Sequence, residues 1–222
     1  HVHFWDHAVA GLHWPYLDPG FEHPRLRGMH RLDAPSFTDV ELRAQAGAHA
    51  PDAIVHVQSA TESAPGVESA WVQRLADARG AAAAIVAKLQ VALPDVTEVI
   101  AANACPLLRG FRDMSAPTTI GTEPFSRGFA ELARTDLSLE VLVPHPKFGD
   151  VLELADRHPT TTIVLGHAGQ PEHRDAEYFE AWRAALEPFR RRPNVVVKIS
   201  ALASGADPDW SVDTLRPWFE AC

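Results

Sequence analysis

Thr161-Thr162-Ile163-Val164-Leu165-Gly166-His167 is an apolar, β-branched run that closes on a histidine, and Gly166 and Gly169 on either side of that histidine allow close approach of a ligand. Its length and β-branched content read as a buried strand. Working outward, residues 2–5, 53–59, 82–91, 107–112, 137–143 and 195–200 read as strands of the same kind. Most of their starts recur roughly every 30 residues, the length of one strand, one helix and two loops. Thr38-Asp39-Val40-Glu41 is a capping box that opens a helix over 39–48. A second helix is predicted over 67–79, with Val67, Trp71 and Leu75 on one face and Gly80 where a left-handed cap is wanted. Residues 95–102, 125–134, 150–158, 178–189 and 212–222 read as further helices. Strands alternating with helices make βαβ units and a parallel sheet.

Two architectures fit that order, a doubly wound sheet and a (β/α)8 barrel, and the polar residues at strand ends choose between them. His1 and His3 lie on the first strand, Ser59 ends the second, Arg112 ends the fourth, His145 follows the fifth and His167 ends the sixth. Reactive residues spread over many strand ends are what a barrel gathers at one mouth. Neither GxGxxG nor GxxxxGK[ST] is present to mark a nucleotide-binding sheet. The expectation is a single α/β domain over residues 1–222, a (β/α)8 TIM barrel lacking its eighth strand. The apolar run from residue 1 has no cap before it and the helix over 212–222 has none after it, so the chain is expected to be incomplete at both termini. Residues 6–35 form a long loop rich in His, Pro and aromatics, of the length usually reserved for function.

An apolar fraction of 46% with 22% charged residues excludes disorder. Lys and Arg number 20 against 29 Asp and Glu, a net charge of −9 that repels nucleic acid and anionic lipid. The longest apolar stretch, 81–87, is far short of the roughly 18 residues of a membrane span. Cys105 and Cys222 are too far apart for a CxxC motif, which points to a reducing cytoplasm.

His1 and His3, at i and i+2 on a strand, project from one face and can grip one divalent cation or the oxygens of one substrate; alone, such a pair is more often polar surface. His167 suits a site or a packed strand end about equally. His145, fixed between Pro144 and Pro146, is a candidate ligand, though a loop histidine more commonly caps a carbonyl. Arg109 and Arg112 face opposite sides of their strand, and Arg112 at its C-terminal end can clamp a carboxylate, polarise a carbonyl or make a rim salt bridge. Lys198 reads as the partner of a core carboxylate or as a snorkelling side chain. Trp5, Trp14, Tyr16 and Phe21 are core packing singly, and together can line a pocket for a small ring. GxSxG and HExxH are absent.

Taken together, His1-Val2-His3-Phe4-Trp5-Asp6, Trp14-Pro15-Tyr16-Leu17, Glu68-Ser69-Ala70-Trp71, Leu108-Arg109-Gly110-Phe111-Arg112, Val164-Leu165-Gly166-His167-Ala168-Gly169-Gln170-Pro171 and Asn194-Val195-Val196-Val197-Lys198-Ile199-Ser200 resemble the amidohydrolase superfamily, within it the amidohydrolase-2 group of sugar-lactone and pyrone-dicarboxylate lactonases. The resemblance implies a barrel whose HxH and sixth-strand histidine face an aspartate on the eighth strand, the general base. It implies His1, His3 and His167 as metal ligands, or as groups that hold the lactone carbonyl directly, and a divalent ion, zinc or manganese, that some members lack. His145 stands for the fifth-strand histidine. The arginines on the fourth strand match the lactonase group and argue against a bridged two-metal centre. The expected reaction is opening of a small lactone by water, with His167 and His145 catalytic and Arg112, Gln58 and Ser59 orienting the substrate. The alternatives are a metal-dependent decarboxylase of the aminocarboxymuconate-semialdehyde type and a non-catalytic barrel that binds a small molecule.

Overall fold

A computed structural model describes residues 1–21, 34–60, 62–203 and 210–222. The chain divides into two compact units, His1–Leu89 with Thr97–Arg112, and Gln90–Val96 with Asp113–Cys222.

The first unit carries β1 (Trp5–Asp6), β2 (Leu12–His13), β3 (Ser36–Phe37), α1 (Asp39–Ala46), β4 (Val55–Val57), β5 (Glu62–Ser63), α2 (Val67–Arg79), β6 (Ala84–Lys88), α3 (Val96–Ala102) and β7 (Leu108–Asp113); the terminal residues Val96 and Asp113 count with the second unit. β4, β6 and β7 pair in parallel, in the register Val55 to Ala84 and Lys88 to Arg112, with one extra residue, Arg109, on β7 between the partners of Ile85 and Val86. The expected first strand is reduced to one parallel bridge, Val2 to His56. Beyond it the chain swings away, and β1 pairs antiparallel with β3 while β2 pairs antiparallel with β5. The long loop thus leaves one short ribbon, supplies β2 to a second and forms a 3-10 turn over Pro15–Leu17, and its stretch 22–33 lies outside the described residues.

Caps place the helices. Thr38 and Glu41 close the capping box of α1, with Thr38 N–H donating to Glu41 at 2.6 Å. α2 ends on Gly80 at φ 69°, the left-handed cap the sequence calls for. Its buried face is Glu68, Ser69, Trp71 and Val72, a rotation from the expected Val67, Trp71 and Leu75 that brings a carboxylate into the core.

The second unit carries α4 (Ala116–Thr119), α5 (Glu123–Leu132), β8 (Ser138–Val141), α6 (Phe148–Arg157), β9 (Ile163–Leu165), α7 (Ala176–Leu186), β10 (Val195–Val197) and α8 (Val212–Ala221). β8, β9 and β10 are parallel and in step, Leu139 to Ile163 to Val195. Phe125, Phe129 and Leu132 of α5 recur at helical spacing and are fully buried, as are Val151 of α6 and Trp182 of α7. Two starts come earlier than expected because a capping side chain precedes each: Thr122 accepts from Phe125 N–H, and Asp175 from Tyr178 N–H. Among the described residues no helix is long and apolar enough to cross a membrane.

Candidate active site

In the first unit, the bridge at Val2 fixes where the two leading histidines stand. His3 donates from Nδ1 to the Val57 carbonyl at 2.8 Å, since a carbonyl can only accept, and this leaves Nε2 as the nitrogen with the lone pair. His1 Nε2 lies 3.1 Å from it, the two rings edge to face. Burial, and then the Arg112 guanidinium, lower the His3 pKa to about 4, so the ring is neutral at neutral pH. Two imidazole nitrogens at this separation match the bite of adjacent ligands on one ion bonded at about 2.1 Å. The pair therefore fits a divalent cation as two of its ligands. Among the described residues no group of three or more His, Cys, Asp or Glu is arranged to hold a metal.

Arg112 on β7 and Gln58 just past β4 meet across the intervening β6. Arg112 is 6% exposed and donates from Nη2 to the Gln58 carbonyl at 2.7 Å, whereas Arg109, on the opposite face of β7, is exposed. With its amide oxygen turned to the guanidinium, Gln58 accepts from Nη2 at 3.2 Å and Nε at 3.3 Å. That clamp holds a planar cation ready for a carbonyl or carboxylate oxygen.

Ser59 is buried, and its hydroxyl is engaged inside the protein. It donates to the Phe4 carbonyl at 2.7 Å and accepts from Trp14 Nε1 at 3.0 Å, and Tyr16 also bonds to it. Burial raises the Tyr16 phenol well above its ordinary range. Trp14 packs edge-on to Trp71, and Trp5 stacks on Phe37 with its Nε1 donating to Ala34, so both indoles serve the core.

Two buried residues here were not singled out from sequence. His56, wholly buried on β4, meets the Glu68 carboxylate at 3.1 Å, and the same oxygen accepts from Ser59 N–H at 2.8 Å and Ala60 N–H at 3.2 Å. Burial alone would raise the Glu68 carboxyl, but the hydrogen bonds from His56 and the two amides outweigh it and hold the group below the usual carboxylate range. The available signal was a histidine inside a β-branched strand and a glutamate one turn before a helix tryptophan.

In the second unit, His167 follows β9 at φ 53°, and Ala168, Gly169 and Gln170 continue in the left-handed region at 51°, 73° and 47°. The turn is pinned: Ala168 N–H donates to the Lys198 carbonyl at 2.9 Å, Trp182 Nε1 donates to the Ala168 carbonyl at 2.8 Å, and a side chain at Gly169 would collide with Phe148. Ser200 Oγ fixes the His167 ring through Nδ1 at 2.7 Å. His145 opens a 3-10 turn, His145–Lys147, with its ring edge-on to Tyr178. Burial lowers its pKa, and its Nδ1 is buried with no hydrogen-bond partner. Lys198 pairs with the buried Glu140 at 2.8 Å, the core-carboxylate reading of that lysine.

The structure thus brings together His1 with His3, Arg112 with Gln58, and His167 with Ser200. The amidohydrolase family profile matches residues 1–222. An L-fucono-1,5-lactonase of Burkholderia multivorans is 30% identical over 93% of this chain and 68% of its own length. An uncharacterized protein of Sinorhizobium fredii is 28% identical over 99% of this chain and 77% of its own. A crystal structure of a Burkholderia multivorans amidohydrolase with bound zinc is similar with a TM-score of 0.76 at 29% identity, over 99% of this chain and 75% of that one.

Proposed function

The chain belongs to the amidohydrolase family and carries the strand-helix units of its (β/α)8 barrel, and from that premise we propose that it opens a small lactone, a sugar lactone or a pyrone carboxylate, with water. The observation that carries the reading is the neutral His3 beside His1 in the unit that also holds the Arg112–Gln58 clamp. The rigid guanidinium suits a carbonyl whose oxygen gains negative charge on attack, and the lone-pair nitrogen of His3 suits a cation that would polarise that carbonyl. Water adds to the carbonyl carbon, the ring C–O bond breaks, and the departing oxygen takes a proton, leaving a hydroxy acid. Arg112 and Gln58 orient the substrate's oxygens. The resemblance assigns His145 and His167 to the acid-base and ligand roles of the same chemistry, and that assignment is part of the proposal. The resemblance adds His167 to His1 and His3 as ligands of a divalent ion, zinc or manganese, which when bound would polarise the carbonyl as a Lewis acid. The substrate is a small molecule, as the lactonase name of a relative supports. The net charge of −9 disfavours nucleic acid as a partner, and the unpaired Cys105 and Cys222 fit a cytoplasmic setting.

Lactone opening at neutral pH releases a proton, decarboxylation releases CO2, and binding alone consumes nothing. A panel of aldonolactones and pyrone carboxylates, followed with a pH indicator with and without chelator, is expected to show proton release for at least one substrate. Silence across the panel, with CO2 evolved from an unsaturated dicarboxylate, would replace the lactonase with the decarboxylase.

A further inference from the structure

The first strand stops pairing at a definite place. Val2 N–H donates to the Val55 carbonyl and Val57 N–H to the Val2 carbonyl, both at 3.0 Å, as a parallel ladder requires. Continued, the ladder would next join Phe4 N–H to the Val57 carbonyl and Ser59 N–H to the Phe4 carbonyl. Neither bond forms. All four backbone groups are taken instead by side chains: the Val57 carbonyl by His3 Nδ1, Phe4 N–H by His56 Nδ1 at 3.4 Å, the Phe4 carbonyl by Ser59 Oγ at 2.7 Å, and Ser59 N–H by Glu68 at 2.8 Å. Buried backbone groups need partners, so the strand can leave the sheet here only because these side chains supply them.

We infer that His56 and Glu68 are positioning residues: they replace the missing rungs and thereby hold the His3 ring in the gap between the strands. His56 accepts from Phe4 N–H at Nδ1, so its hydrogen sits on Nε2 and points at Glu68 Oε1, 3.1 Å away. Glu68 sets that tautomer, and its same oxygen steadies the Ser59 amide. With Phe4 held at both N–H and carbonyl, the Val57 carbonyl is left to His3, which fixes the direction of the His3 ring. His56 and Glu68 touch no substrate and act through His3, as the hydrogen-bond partners behind a working histidine orient its ring.

The inference rests on the proposed function only in taking His3 as a working residue, and its test has a reading that needs no activity. In protein labelled with 15N at histidine, His3 is expected to be the Nδ1–H tautomer with a protected proton. His56→Phe keeps the ring packed on Phe4 and deletes both hydrogen bonds. It is expected to lose the His3 Nδ1–H signal while circular dichroism stays native, and to lower kcat on the responding lactone about 10- to 100-fold with KM within about twofold. His56→Asn, which keeps an acceptor for Phe4 N–H, should recover part of both. If His56→Phe does not fold, Ser59→Ala, which removes one hold on Phe4, is expected to broaden the same signal. A folded His56→Phe with an unchanged His3 signal overturns the inference, whatever the activity. Loss of the signal in His56→Phe, with a wild type that opens no lactone, supports the positioning role and removes the lactonase reading alone.

Discussion

His13 lies between two carboxylates, 3.0 Å from Asp18 and 2.8 Å from Glu62, and the hydrogen bonds it donates to Glu62 and then Asp18 raise its pKa. The sign follows from linkage: a histidine whose folded pKa is raised contributes stability below the unfolded value, near 6.5, and loses it as pH climbs through the folded value. An NMR titration should place His13 above 6.5, and His13→Asn should flatten the decline in stability across that interval; a midpoint at or below 6.5 would contradict the geometry. At this scale the sequence was partly legible. Strand parity separated Arg112 from Arg109, because alternation on a strand is a property of the chain itself. The roles of His56, Glu68 and Ser59 were not legible, since they depend on where pairing stops, and pairing is settled between segments 50 residues apart rather than within one.

Helices were read closely where a cap is local and less closely where it is not. α2 fills the predicted 67–79 because Gly80 ends it chemically, while α5 and α7 begin two residues before expectation, each behind a capping side chain. Strands were read long at their ends, because apolar alternation continues past the last hydrogen bond; β9 is Ile163–Leu165 inside the predicted 161–167. Packing between elements leaves a sharper mark at Gly128 of α5, where an added methyl would run into the Val91 carbonyl. Helix propensity alone favours Gly128→Ala by about 1 kcal/mol. The clash should win, for a net loss of about 1–3 kcal/mol in chemical denaturation; a stabilised variant would mean that α5 can shift freely off Val91.

For the chain as a whole, the recurrence of strand and helix was legible because each βαβ unit repeats the same length, and it carried the family and its barrel correctly. The metal question also belongs at this scale, since a ligand that binds only the native state stabilises all of it. Zinc at about 100 times its dissociation constant should raise stability by about 2.7 kcal/mol, roughly 5–10 °C in Tm for a chain of this size. Chelator should reverse the shift. No shift with zinc or manganese would contradict a metal held by His1 and His3.

The side-chain rungs at Phe4 also bear on how the first strand finds its register. Backbone groups are alike at every residue, so a slide of two positions would carry His1 into the place of His3 and Val2 into the place of Phe4, with His56, Ser59 and Glu68 able to bond as before. The paired histidines make the two alignments nearly synonymous. What tells them apart is the Phe4 ring, wholly buried and tilted against His56 at 5.2 Å, a volume that valine cannot fill. The aromatic after the HxH is thus the residue that decides which histidine does the work.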